Sequence, residues 1–332
     1  MSESTVTPKW KRAARVGAIL LLVVVVSLVG AFLTVREPDR PVEALRERWA
    51  KAPSEFLELD GMQVHFRDEG PKDDPLPLVL LHGTSASLHT WDGWVEALGP
   101  DRRILRFDLP AFGLTGPHPQ SKYDIESYTS FVVGMLDARG IDRCVLGGNS
   151  LGGYIAWATA LEHPTRVEKL ILVDASGLPF EAESMPIGFR LAQMPIARGL
   201  MEKVLPRSVV RQSVENVYAD PGRVTPELVD RYFELTLRAG NRHALAERFR
   251  QTQPGPLSDR VGELRVPTLI LWGLEDRLIP PALGTQFEAA IPGSRLVQFE
   301  GLGHVPHEEG PVETAAVVRE FLESDGGTAA AG

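Results

Sequence analysis

Ser150 stands between two glycines in the run Gly148-Asn149-Ser150-Leu151-Gly152. The apolar stretch Cys144–Leu146 runs in and suits a buried strand, and Leu151–Leu161 runs out and suits a helix. A serine on so tight a strand-to-helix turn has a strained backbone and needs small neighbours, which Gly148, Gly152 and Gly153 supply. The turn projects the hydroxyl off the carboxyl edge of a sheet, and the helix N-terminus beside it favours developing negative charge. The chemistry this suits is nucleophilic attack. A hydroxyl is a weak nucleophile, so it needs a base, and the base needs an orienting acid.

On such a sheet the partners follow the serine in the order acid, then histidine. Asp276 ends Trp272-Gly273-Leu274-Glu275-Asp276, just after the apolar run Thr268–Leu271. His304 follows the run Leu296–Phe299 and precedes the last helical stretch. Both therefore fall at the sheet edge that carries Ser150. Asp276 is the expected acid, with Asp174, which also ends a strand, and Glu275 as alternatives. His304 is the expected base; His307 lies where the final helix begins. The oxyanion needs two backbone N–H donors. Leu151, next to the nucleophile, gives one, and Thr84, in the loop Leu81-His82-Gly83-Thr84, gives the other, with Ser85 in reserve. His82 reads as structural.

Positioning these groups takes a particular set of elements. Leu78–Leu81, Arg103–Leu109, Cys144–Leu146, Leu170–Val173, Thr268–Trp272 and Leu296–Phe299 suit strands buried on both faces of a parallel sheet, while Met62–Phe66 alternates. Helical stretches lie between them at Ile125–Ala138, Leu151–Leu161, Ala282–Ala290 and Pro311–Leu322. This alternation predicts a doubly wound α/β domain over 56–324, with a mostly parallel central sheet and helices on both faces. Residues 177–256 lack a buried-strand run, are punctuated by prolines, and read as an inserted helical cap. The cap's first half is apolar (Phe180, Met185, Ile187, Phe189, Leu191, Met194, Ile196, Leu200, Met201), which suits an acyl-chain pocket and plain packing equally. The tail 325–332 has nothing to pack and is expected to be disordered.

A formal charge of −9 with no basic block argues against nucleic acid as a partner. The single cysteine, Cys144, excludes an intramolecular disulfide and a cysteine-based zinc site. Residues 16–35 carry no charge and follow a basic segment, 1–15, with Lys9, Lys11, Arg12 and Arg15. About 20 apolar residues match the hydrocarbon core of a bilayer. The run exceeds the ~7–15-residue core of a cleaved signal peptide, and only a weak Val29-x-Ala31 site follows. The expectation is an uncleaved, single-pass transmembrane signal anchor at 16–35, with 36–55 as a juxtamembrane stalk. Long domains translocate largely regardless of charge, so the catalytic domain is expected outside the cytoplasm, in the periplasm of a bacterium. Val42, Leu45 and Trp49 form a helical stripe that suits packing on the domain or on the bilayer.

The ordered set His82-Gly83, Asp108 to Gly113, Gly148-x-Ser150-x-Gly152, Trp272-Gly-x-x-Asp276 and Gly303-His304 resembles the α/β-hydrolase superfamily over about 56–322. Asp108 to Gly116 together with Gly148 to Gly153 is similar to membrane-associated bacterial esterases and lipases of the family V type. The resemblance makes Asp108 and Gly113 parts of a structural turn. Haloalkane dehalogenases and soluble epoxide hydrolases place Asp where this chain has Ser150, so acyl chemistry is implied. Ser150 would attack a carbonyl as His304 takes its proton, Asp276 would hold the imidazole, and Leu151 and Thr84 N–H would hold the oxyanion. His304 would then protonate the leaving group and activate water against the acyl-enzyme. No metal or organic cofactor is required. The expected function is a serine hydrolase (esterase or lipase) acting on a small-molecule carboxylic ester or lipid. A C–C bond hydrolase, a proline-iminopeptidase-like aminopeptidase and an acyltransferase use the same triad. A non-catalytic, membrane-anchored binding protein would have to leave Ser150, Asp276 and His304 idle.

Overall fold

Runs without polar residues are stable only where both faces are covered, and they lie at the centre of one eight-stranded sheet. The computed structural model describes residues 9–194, 199, 203–251 and 255–324. The strands are β1 (Glu55–Leu59), β2 (Met62–Glu69), β3 (Leu78–Leu81), β4 (Ile104–Phe107), β5 (Cys144–Asn149), β6 (Val167–Val173), β7 (Thr268–Gly273) and β8 (Arg295–Phe299). Their spatial order is β1-β2-β4-β3-β5-β6-β7-β8. β1 and β2 pair antiparallel, as do β2 and β4, and every other pairing is parallel.

Alternation along the central strands divides the core. Val79, Leu81, Leu146, Leu170, Leu172 and Ile270 face one layer, which includes the helices Ile125–Ala138 and Leu151–Glu162. Leu78, Leu80, Val145, Ile171, Val173 and Leu269 face the other, against Trp91, Trp94 and the helix Pro311–Glu323. Helix starts follow local chemistry. Asp124 accepts from Ser127 N–H to cap the helix Ile125–Ala138, and Thr225 caps Pro226–Thr236 with proline in the first turn.

Between β6 and β7 the chain leaves the sheet as the helices Ile187–Gln193, Arg207–Val217, Pro226–Thr236 and Asn241–Gln251. They enclose a separate apolar cluster that includes Val210, Val214, Tyr218, Val229 and Phe233, joined by Val305 from the loop that carries His304. The segment after residue 35 lies on this cap. Arg40 N–H donates to Leu237 O (2.7 Å), and Ala239 N–H donates to Arg40 O (2.8 Å). The stripe on the helix Val42–Trp49 packs on the domain: Leu45 is 2% exposed, against Leu114 and Leu235, with Val42 and Trp49 beside it.

The expected membrane anchor is overturned. Lys9–Val35 is helical, but among the described residues no helix is long and apolar enough to cross a membrane. The single-pass membrane location and the extracytoplasmic placement of the domain rested on that anchor and fall with it. The tail, 325–332, lies outside the described residues.

Candidate active site

β5 ends at Asn149, and the helix Leu151–Glu162 begins one residue after Ser150. Ser150 has φ 55° and ψ −115°, a strained conformation for a residue other than glycine. The turn is over-determined. Ser150 N–H donates to Val173 O (3.0 Å), and Ser150 O accepts from Tyr154 N–H and Ser176 N–H (3.0 Å each). A Cβ at Gly148 would lie 2.2 Å from Gly152 O, and one at Gly152 would lie 2.2 Å from Leu81 O, so both positions require glycine.

The structure brings Asp276 and His304 together. His304 Nδ1 lies 2.7 Å from Asp276 Oδ2, with both residues buried. The other Asp276 oxygen accepts from Leu278 N–H (2.8 Å) and Ile279 N–H (2.9 Å), which fixes the carboxylate. His304 and Ser150 line the same cavity, as do Gly83, Thr84 and Ser85. Leu151 N–H is the first of its helix and has no intrahelical acceptor. Ser150, His304, Thr84 and Leu151 therefore gather at one end of the sheet, with Asp276 behind the histidine.

The alternatives separate cleanly. Glu275 is exposed. Asp174 is fully buried and lies behind Asp276. His307 stacks on Trp91 (4.1 Å between ring centroids) and meets Thr90 Oγ1 (2.9 Å), and burial, then His304 and Arg231, pushes it far towards the neutral form. Both ring nitrogens of His82 are engaged: Nδ1 with Gly83 O (2.7 Å), and Nε2 as acceptor from Leu109 N–H (3.0 Å). Asp108 binds His65 Nδ1 (2.7 Å), Leu88 N–H and Leu114 N–H as the hub of a turn beside the site. Burial opposes its ionisation, but His65, with His82 and His89, favours the charged form, and the net effect lowers its pKa.

Two positioning residues escape sequence reasoning. Asn149 donates from Nδ2 to Val173 O (3.1 Å) and His304 O (3.0 Å), tying the Ser150 turn to the His304 loop. Glu309 accepts from Gly303 N–H and Ala219 N–H (2.8 Å each), tying the same loop to the cap. Burial raises its pKa to about 6. Asn149 is legible only as the variable letter of its motif, and Glu309 has no local signal.

The cavity opens to solvent and has room for the centres of water-sized molecules over about 110 Å³. Its apolar walls come from Leu205, Val209, Val210, Val214, Val217 and Leu245. Of the apolar residues expected in the cap's first half, Phe189 reaches the cavity. Phe180, Met185, Ile187 and Met194 are exposed, and Ile196, Leu200 and Met201 lie outside the described residues. The wall falls to the helix Arg207–Val217 because that helix buries a valine stripe at helical spacing.

Asp174, Asp276 and His304 bring potential metal-ligating atoms within 4.8 Å of one another, the one such group among the described residues. Most of their atoms are engaged by protein partners: both Asp276 oxygens and His304 Nδ1 as described, and Asp174 Oδ1 by Gly273 N–H (3.1 Å). The set does not fit an ion without breaking the histidine–carboxylate contact.

A buried histidine–carboxylate pair facing a strained serine defines a class of hydrolytic α/β proteins. Residues 77–311 match the α/β hydrolase fold family, and the chain belongs to it, as a hydrolase. It is 30% identical over 274 residues to the 2-hydroxy-6-oxo-2,4-heptadienoate hydrolase of Pseudomonas putida, covering 80% of this chain and 94% of that one. A thermophilic esterase from Thermogutta terrifontis superposes with TM-score 0.67 at 26% identity, over 82% of this chain and 98% of that one. A membrane phospholipase A, described as a bacterial virulence factor, superposes with TM-score 0.72 at 24% identity, over 94% and 98%, a likeness of fold.

Proposed function

We propose that the protein hydrolyses the carbon–carbon bond beside the ketone of a 2-hydroxy-6-oxo-dienoate. The reading is carried by the 30% identity, over 80% of the chain, to a hydrolase named for such a substrate. It draws support from a histidine–carboxylate pair and Ser150 at one apolar cavity. This is the C–C alternative of the sequence reading, preferred over the ester hydrolysis expected first.

In the proposed cycle the dienol first ketonises: the 2-hydroxyl gives up its proton and becomes a 2-oxo group, and a proton is added at the carbon next to the 6-ketone. Ser150 Oγ attacks the 6-oxo carbon, and its proton passes to His304. The N–H groups of Leu151 and Thr84 hold the oxyanion. Collapse breaks the carbon–carbon bond, the electron pair leaves as a dienolate conjugated through the 2-oxo group, and the proton on His304 passes to it, giving a 2-hydroxydienoate and returning His304 to its neutral form. Water, deprotonated by His304, then cleaves the acyl-Ser150 to a carboxylic acid. One water is consumed, and Asp276 keeps the imidazole in the required tautomer throughout.

Ester hydrolysis is a second reading, favoured by one feature. The guanidinium lining the cavity, Arg242, already binds Asp39 (2.6 Å) and Glu37 O (2.8 Å), which suits an uncharged substrate better than a carboxylate. The test offers 2-hydroxy-6-oxo-2,4-heptadienoate and p-nitrophenyl butyrate in parallel to the full chain and to Ser150→Ala. Loss of the dienoate chromophore at a higher kcat/KM than the ester, reduced at least ~10³-fold by the substitution, is the expected outcome. Turnover of the ester alone rejects the C–C reading in favour of the second.

A further inference from the structure

We propose that Asp174 is a positioning residue: it keeps its proton and donates it in a hydrogen bond to Asp276, so that the pair behind His304 carries one negative charge. The inference rests on the assignment of His304 and Ser150 as the reacting pair, and not on which substrate the cavity takes.

Asp174 follows β6 and has no solvent exposure. Its backbone is left-handed, with φ 44°, a conformation that Asp and Asn tolerate better than most residues. Two contacts hold it there: Asp174 N–H donates to Leu271 O (3.0 Å), and Oδ1 accepts from Gly273 N–H (3.1 Å). Oδ2 receives no N–H or O–H donor. The side-chain neighbour is the Asp276 carboxyl, itself an acceptor, with an oxygen of each residue within 4.8 Å of the other's. Two acceptors meet in a dry site only if one bears a proton. Asp276 accepts from two N–H groups and faces His304, so it is the member built for the charge. Burial, and then the Asp276 charge, drive the Asp174 carboxyl well above the usual carboxylate range. The ionisable groups facing Asp174 are Asp276, His304 and Glu309, and none supplies a fixed positive charge to offset a second anion.

The consequence is for the base. Two carboxylates behind His304 would place two negative charges on one ring, whereas a neutral donor leaves Asp276 a single charge with which to orient it. The probe is a small alkyl fluorophosphonate, whose rate of labelling Ser150 is followed against pH in the full chain. Asp174→Asn preserves shape, backbone conformation and a donor. It is expected to label within about three-fold of the parent, with the acid limb of the profile in place. Asp174→Gly accommodates the same φ but removes the donor, and is expected to label at least about ten-fold more slowly. Infrared spectra taken about two pH units above the Glu309 pKa of about 6, where that side chain is ionised, are expected to show a protonated-carboxyl band that vanishes in Asp174→Asn. An acid limb moved down by about one to two pH units in Asp174→Asn would reveal a full charge removed within about 5 Å of His304, and would overturn the proposal. Absence of the infrared band, equal labelling by the Asn and Gly variants, or a parent that does not label at all would overturn it too.

Discussion

Replacing Asp276 by asparagine separates the two tasks of this carboxylate. Oδ1 accepts from Leu278 N–H and Ile279 N–H, so the amide of an asparagine must set its oxygen there to avoid facing two donors with a third. Its NH2 then points at His304 Nδ1, where Oδ2 now lies at 2.7 Å. Two donors cannot share that contact, so the ring must present Nδ1 as the acceptor and carry its proton on Nε2, the nitrogen needed to receive the Ser150 proton. A wrong tautomer of this kind costs about 10⁴ in kcat, or about 5.5 kcal/mol of transition-state stabilisation. The fold keeps both loop hydrogen bonds, so the melting temperature should move little. Asp276→Ala strands two buried N–H groups at about 1–3 kcal/mol each. At about 2–4 °C per kcal/mol for a domain of this size, that variant should melt about 4 to 24 °C lower. Steady-state turnover of whichever substrate the parent accepts, with thermal unfolding alongside, reads both quantities. An Asp276→Asn protein within ten-fold of the parent would refute the tautomer argument. One that unfolds as early as Asp276→Ala would refute the fixed amide orientation.

Two further outcomes follow from the same geometry. Glu309 binds its proton more tightly folded than unfolded, its pKa rising from 4.5 to about 6. Stability from this group is therefore lost as pH rises from about 4.5 to 6 and regained on acidification, by about 2 kcal/mol over the window. Urea unfolding of the parent minus that of Glu309→Gln should change by about that amount across the window, and a pH-independent difference would contradict it. Gly152→Ala drives a Cβ to 2.2 Å from Leu81 O, a backbone atom that cannot swing aside. It should cost at least ~2 kcal/mol of stability and about 10²-fold in fluorophosphonate labelling of Ser150, and an unchanged melting temperature would show that the turn has more slack than its contacts allow.

What could be read without the fold was local. The Ser150 turn declares itself because its conformation forces glycine at 148 and 152, and the strands at its sides because burial on both faces forbids polar residues. β1 is less legible. Its side chains Glu55, Phe56, Leu57, Glu58 and Leu59 are at most half-buried, and it joins the sheet through the Asp60-Gly61 turn, where both residues have positive φ. That dipeptide was the available signal. Asn149 and Glu309 act through partners 155 and 6 residues away, at His304 and Gly303, and Glu309 also through Ala219 on the cap. No periodicity encodes such pairs. Which apolar residues of the cap line the cavity stayed open because apolar composition marks helices without saying which face turns inward.

The segment after residue 35 shows how far the cavity depends on distant sequence. Asp39 and Glu37 O hold Arg242, which lines the cavity, while Arg48 pairs with Asp230 and Glu234 on the cap, and Trp49 Nε1 donates to Glu234 (2.7 Å). The ion pairs look like the fastening. Their magnitudes argue otherwise. Arg48 is 45% exposed, and pairs of that kind contribute about 0–1 kcal/mol. Leu45, 2% exposed between Leu114 and Leu235, contributes about 1.5–3 kcal/mol by burial alone. The apolar stripe therefore supplies the adhesion, and the charged groups set the register in which Asp39 meets Arg242. A stretch that sequence alone sets outside the hydrolase domain thus braces a residue of the wall that shapes its cavity.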